Sequence, residues 1–233
     1  MAAFNVNQGS RSVPVLKDGY ELISEFLTRD QLNSINNEIK NVKFPASAGG
    51  IRNAEKKFSS IRELAGSEQL LAQTKNYLSG TVSLVRAILF NKTSENNWLV
   101  TWHQDRTVAV SKKFEKNDWG PWSIKDQVHH VQPPLDVLNQ MVTFRIHLDD
   151  TSLKNGCLKV LPKSHQLGIL DPVAIQRYVQ NHEVLVCEAS AGSAFVMRPH
   201  ILHSSSKASI PSQRRVLHLE YSSFKLPTGV AWA

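Results

Sequence analysis

Apolar residues recur along the chain with two different periods. In the first third the period is helical. Thr28 opens Thr-Arg-Asp-Gln, a capping-box pattern with Gln31 at the third helical position. Leu32, Ile35, Ile39 and Val42 then fall on one face, which predicts an amphipathic helix over 29–41. Ser67 caps a second helix carrying Leu70, Leu71, Thr74 and Leu78, ending near Ser79-Gly80. Before these, Gly19–Ile23 reads as a short strand. After them the period drops to two: Val82–Phe90, Trp98–Trp102, Met141–Leu148, Gly156–Leu161, Val184–Cys187, Ala194–Arg198 and Val216–Tyr221 all read as strands. They are rich in β-branched and aromatic residues and are separated by Asn, Gly, Pro and Ser. Asp171-Pro172 fits the cap and first position of one more short helix. Helices followed by many short strands predict a mainly β fold, an antiparallel sandwich with an N-terminal helical layer. Residues 1–15 read as a loose arm and 46–52 as a small-residue loop. The stretch 106–135 has little period and reads as a long functional loop.

The 233 residues suit a single domain with a large core, and 41% hydrophobic against 20% charged residues excludes disorder as the main state. No apolar run approaches the length of a membrane helix, and the N-terminus lacks a signal-like apolar segment. Cys157 and Cys187 form neither a disulfide framework nor a CxxC site, which points to a reducing, cytoplasmic setting. The net charge is +7, but basic residues reach only pairs such as Lys112-Lys113 and Arg214-Arg215, so nothing marks a nucleic-acid footprint.

Candidate chemistry centres on histidine. Trp102-His103-Gln104-Asp105 follows a strand, and alternation turns His103 and Asp105 to the same side. With a third ligand, such a pair fills three adjacent corners of an octahedron, as in the two-His-one-carboxylate site of non-haem Fe(II) oxygenases. Alone, an HxD pair is weak, because it turns up by chance, and the alternative is a structural hydrogen-bonded pair at a strand end. The C-terminal half adds His200 and His203 after a strand, then Arg214 and Arg215. A guanidinium suits the distal carboxylate of a keto acid such as 2-oxoglutarate, because two parallel hydrogen bonds match its geometry. Arg214 shares a strand face with His218 and Glu220, and Arg215 shares the other with Leu217, Leu219 and Tyr221. If the apolar face looks into the barrel, alternation favours Arg215. On the strand before Asp149, the polar face of Thr143, Arg145 and His147 either lines a cavity or meets solvent.

WHQD, LDDTSLKNGCLKVLPKSHQLG, AGSAFVMRPHILHSSS and RRVLHLEY together resemble the phytanoyl-CoA dioxygenase family, over nearly the whole chain from about Asp18 to Tyr221. The resemblance implies a double-stranded β-helix (jelly-roll) core and an enzyme using Fe(II), 2-oxoglutarate and O2 to hydroxylate a small molecule, releasing succinate and CO2. It implies His103, Asp105 and His203 as iron ligands, His203 being chosen over His200 by the family's His-x-Ser motif. It further implies Arg214 and Ser205 as 2-oxoglutarate contacts, with Gln104, Ile88 and Arg145 at further contacting positions. The family often has Pro-Gly-Ser-His where this chain has Pro162-Lys163-Ser164-His165, which puts that turn in question. Halogenating relatives have a small residue in place of the Asp, so Asp105 favours hydroxylation. The substrate is unnamed; the basic charge is compatible with an anionic or amphiphilic metabolite, and the oligomeric state is open. The rival reading is a jelly-roll module that binds a sugar or anion without catalysis.

Overall fold

The structure, a computed structural model, describes residues 14–44, 50–210 and 212–233. In chain order its elements are α1 (Pro14–Lys17), β1 (Tyr20–Ile23), α2 (Arg29–Ile39), β2 (Gly50–Arg52), α3 (Ala54–Lys57), α4 (Ser59–Ala65), α5 (Glu68–Lys75), β3 (Ser83–Lys92) and β4 (Val100–His103). There follow β5 (Val108–Val110), β6 (Trp122–Lys125), β7 (Val128–Val131), α6 (Leu135–Asn139), β8 (Met141–His147), β9 (Leu158–Val160), α7 (Pro172–Asn181), β10 (Leu185–Cys187), β11 (Ala194–Met197), β12 (His203–Ser205) and β13 (Arg214–Ser222). A six-stranded sheet in the order β1-β11-β8-β13-β3-β2 faces a four-stranded sheet in the order β10-β9-β12-β4, all paired antiparallel. This is the antiparallel sandwich that the strand pattern predicts, and the jelly roll that the family resemblance implies.

The helical layer is anchored as the sequence implies. Thr28 and Gln31 form a reciprocal capping box on α2, Ser67 caps α5, and Asp171 caps α7 with Pro172 at its first turn. Ile35, Ile39, Ile61, Leu64 and Leu70 bury against Val142, Phe144, Ile146, Leu217, Leu219 and Tyr221 on the outer face of the large sheet. At about 1.5–3 kcal/mol for each large apolar side chain taken from water, this contact fixes which face of β8 and β13 points outward. The remaining face, with Thr143, Arg145, His147, Arg214, His218 and Glu220, is turned between the sheets and is buried. Part of that interior is closed by Phe195, Met197, Leu158, Val160 and Ile201.

Three expectations are corrected, and two helices are added. Pro14 and Val15 belong to α1, so the arm is shorter than 1–15; residues 1–13 lie outside the described residues. The loop assigned to 46–52 ends in strand β2, which places Arg52 on the large sheet; 46–49 lie outside the described residues. Two short helices, α3 and α4, precede α5. The segment 106–135 is not a long loop but a three-stranded sheet in the order β5-β7-β6. Its strands are three or four residues long, too short for a period to show. The tip between β6 and β7 is Asp126-Gln127, with φ of 49° and 63°. That is the backbone of a tight two-residue hairpin without the Asn-Gly signal that marks one. Trp119 packs with Val108, Val110, Val131 and Leu138 in the core beneath this sheet, and Trp122 against its margin.

The Pro162–His165 turn survives its substitution. Lys163 adopts φ 66°, the left-handed conformation for which glycine is the cheapest residue. Among the described residues no helix is long and apolar enough to cross a membrane.

Candidate active site

β4 and β12 are neighbours, and their register sets His103 opposite His203. Asp105, two residues beyond His103, is tied by its amide to the Pro199 carbonyl at 2.9 Å. Its carboxylate oxygens lie 3.6 Å from His103 Nε2 and 3.5 Å from His203 Nε2. The three donor atoms lie within 4.8 Å of one another, close enough to share one metal ion.

The backbone prepares both imidazoles. His103 Nδ1 is 2.9 Å from the Thr101 carbonyl, and His203 Nδ1 is 2.8 Å from the Ile201 carbonyl. A carbonyl only accepts, so each Nδ1 carries the proton and each Nε2 presents its lone pair inward. Burial drives the His203 pKa down to about 4, against the pull of Asp105. Burial alone would raise Asp105, but His203, His103 and His218 outweigh it and hold the carboxyl well below its usual range. Burial lowers the His103 pKa, but Asp105 and the Thr101 carbonyl outweigh it and raise it. The site thus offers two imidazole nitrogens and one carboxylate. His203 is buried while the His103 side chain is 38% exposed, which leaves one side of the cluster open. His200 is fully buried and makes no hydrogen bond through either ring nitrogen; it is not among the clustered donors.

Gln104 turns the other way. Its Nε2 donates to the Gly168 and His200 carbonyls at 2.7 and 2.8 Å, and its Oε1 accepts from the Leu170 amide at 2.9 Å. Its carboxamide is therefore engaged with backbone and holds the segment between the two donors in place.

Beside the metal donors, the inner faces of β8 and β13 carry a run of buried polar side chains. Arg145 Nη1 donates to His218 Nδ1 at 3.0 Å, and Ile88 is the register partner of His218. Arg214 is 3% exposed, with Nε and Nη1 unpartnered. Burial first, then Arg145, lowers its pKa to about 10. Arg215 faces outward and makes a bidentate pair with Asp149 at 2.9 and 2.7 Å. Ser205 Oγ donates to the Gly156 carbonyl at 2.8 Å and accepts from Lys92 Nζ at 2.9 Å. His147 also lies on this face, with both ring nitrogens unpartnered; burial, Arg145 and Arg214 lower its pKa to about 3, so it is neutral.

Lys92 escaped the sequence reading, because a lysine at a strand end normally reads as a solvated residue. Here it is 1% exposed, and burial, Arg214 and Arg145 together lower its pKa to about 8. Among the described residues, no carboxylate pairs with Lys92, Arg145 or Arg214. These three buried cations form no ion pair among the described residues, and a bound anion would balance their charge.

A jelly roll with two histidines and a carboxylate beside buried cations is the framework of non-haem metal enzymes. The chain belongs to the phytanoyl-CoA dioxygenase (PhyH) family, whose sequence profile matches residues 15–216. No curated protein matches it in sequence. Among solved structures it is similar to AviO1 from Streptomyces viridochromogenes Tue57, with 20% identity over 92% of this chain and 94% of the other, at a TM-score of 0.66. It is similar to the epimerase SnoN in complex with Fe3+, alpha ketoglutarate and nogalamycin RO, with 16% identity over 94% and 83%, at 0.67. HygX from Streptomyces hygroscopicus, with nickel and 2-oxoglutarate bound, has 13% identity over 92% and 84%, at 0.63.

Proposed function

We propose that this protein is an Fe(II)- and 2-oxoglutarate-dependent dioxygenase that hydroxylates a small molecule, acting as a single cytoplasmic domain. The observation that carries the reading is the pairing of the His103–Asp105–His203 donors with buried, counter-ion-free Arg214, Arg145 and Lys92. The donor set fits iron: two imidazole nitrogens and one carboxylate oxygen, with one side open. The buried cations fit a dicarboxylate. When bound, ferrous iron with 2-oxoglutarate supplies oxidation of an unactivated C–H bond by O2, with release of succinate and CO2.

The chain's own residues position and neutralise. Arg214 presents two unpartnered N–H groups to the distal carboxylate, Lys92 adds a second cation, and Ser205 holds Lys92 in place. Arg145 lies toward the metal donors, where it would neutralise the near carboxylate, and Ile88 stands opposite His218 on the neighbouring strand. Gln104 steadies the ligand segment through the backbone of 168–170 and 200. A carboxylate at Asp105 favours hydroxylation; two structural neighbours are an epimerase and a carbocyclase, so the reaction type is tested with the substrate. Both cysteines are free and buried, in keeping with a reducing compartment.

Anaerobic titration of the protein with Fe(II) and then 2-oxoglutarate tests the reading. A weak visible charge-transfer band that requires both components is expected, followed by succinate release on admitting O2. A folded protein that gives no band supports the binding-module alternative instead.

A further inference from the structure

The proposed keto acid takes the Arg214 end of β13. The same inward face continues past His218 to Glu220, six residues on and about 20 Å along the strand. Glu220 is fully buried, and one of its oxygens lies within 4.8 Å of a carboxylate oxygen of Asp105. It therefore stands beside the metal donors at the end away from Arg214.

Its hydrogen bonds are unevenly shared. Arg86 Nη2 donates to Oε1 at 2.7 Å, and His218 Nε2 lies 2.8 Å from the same Oε1. His218 Nδ1 already accepts from Arg145, so its Nε2 carries the proton and donates. Both donors thus sit on one oxygen, and buried Oε2 has no partner. A buried carboxylate oxygen demands a donor, and none of the described protein groups supplies one.

Three cations, Arg52, Arg86 and Lys125, stand beyond Glu220. Arg52 on β2 holds the Asp126 tip of the β6–β7 hairpin at 3.3 Å, drawing the adjoining Lys125 toward this end. Lys125 pairs with no carboxylate among the described residues, and the charges of Arg52, Arg86 and Asp105 all act on it. Arg52 pairs with Asp126 and Arg86 with Glu220, and Lys125 is the cation of the three that forms no ion pair among the described residues.

We propose that the substrate is a small hydroxylated anion, such as a hydroxy acid or an acidic or phosphorylated sugar. Its hydroxyl donates to Glu220 Oε2 beside the reacting carbon, and its anionic group meets Lys125. This rests on the dioxygenase reading above. It disfavours an alkyl chain at the metal, because an apolar group gives Oε2 no donor.

The test uses the Fe(II)- and 2-oxoglutarate-loaded protein and a metabolite extract split into three fractions. These are water-soluble anions not retained on a hydrophobic column, water-soluble neutral and cationic compounds, and lipids with acyl-CoAs. Succinate release is expected to rise with the first fraction. Half-saturation should then need roughly 10- to 100-fold more of it in Glu220→Gln, from loss of a charge-assisted hydrogen bond. Lys125→Met should raise it by roughly three- to tenfold, with Lys125→Arg near wild type. Lys125 is exposed, so its variants decide the matter if Glu220→Gln does not fold. Stimulation confined to either other fraction, stimulation by none, or wild-type responses from Glu220→Gln and Lys125→Met would overturn the proposal. A missing charge-transfer band before any fraction is added removes the dioxygenase reading, and this one with it.

Discussion

Arg214→Ala should weaken 2-oxoglutarate binding without releasing iron. Truncating one partner of a buried charge pair costs about 2–5 kcal/mol, much of it from the charge left behind. Here the carboxylate would keep Lys92, whose Nζ is already shared with Ser205 Oγ at 2.9 Å and the Ser206 carbonyl at 2.7 Å. That residual cation puts the loss in the lower part of the range, about 2–3.5 kcal/mol, or roughly 30- to 300-fold in affinity at 1.4 kcal/mol per tenfold. Arg214→Lys should recover little, since an ammonium lacks the planar fork. Arg215→Ala removes the outward pair with Asp149, so it should lower thermal stability and leave 2-oxoglutarate affinity within about twofold. The assay is anaerobic titration of 2-oxoglutarate at fixed iron, read at the charge-transfer band, with metal analysis beside it. A large affinity loss in Arg215→Ala with Arg214→Ala near normal would refute the reasoning, as would loss of iron from Arg214→Ala.

His103→Ala, Asp105→Ala and His203→Ala should each lose most bound iron while His200→Ala keeps it, as metal analysis of the four proteins will show. In the wild type, 2-oxoglutarate affinity should fall as pH rises through about 8, where Lys92 loses its proton and its charge; Arg214→Ala removes one cause of that lowered pKa and should move the fall to higher pH. Lys163→Gly should raise the melting temperature by about 1–3 °C, because φ 66° strains any side chain and glycine relieves it at a smaller entropic cost. Glu38 accepts hydrogen bonds from the Ser59 and Ser60 amides at 2.8 and 2.9 Å, and these and the serine hydroxyls overcome burial to bring its pKa to about 2. Its contribution is full above its ordinary pKa of 4.5 and is lost as pH falls toward 2, so Glu38→Gln should flatten that part of the acid-unfolding curve.

The metal donors were legible because His103 and Asp105 lie two residues apart at a strand end, and the His-x-Ser motif at His203 with an arginine beyond it completes the pattern. The arginine was harder. Alternation along β13 divides Arg214, His218 and Glu220 from Arg215, Leu217, Leu219 and Tyr221, but does not say which set points inward. In most sandwiches the apolar set would. Here the helical layer takes the apolar face, and the interior is left to polar groups that await a ligand. Lys92, His147 and Glu220 carried no signal for the same reason: a residue that serves an absent anion or hydroxyl looks in sequence like one that serves water. The β5–β7 sheet was hidden by strands of three or four residues and a hairpin tip without glycine.

The two-faced character of β13 constrains how this chain can change over generations. Arg214 to Glu220 spans an even number of steps, so both ends look the same way. Losing or gaining a single residue between them would reverse one end against the other. Either Arg214 would be driven among Leu64 and Leu70, or Glu220 would be, and the helices would meet a charge in place of an apolar side chain. Point substitutions can drift along this strand, and loops elsewhere can lengthen. Between Arg214 and Glu220, the parity of the count is what descent has to preserve.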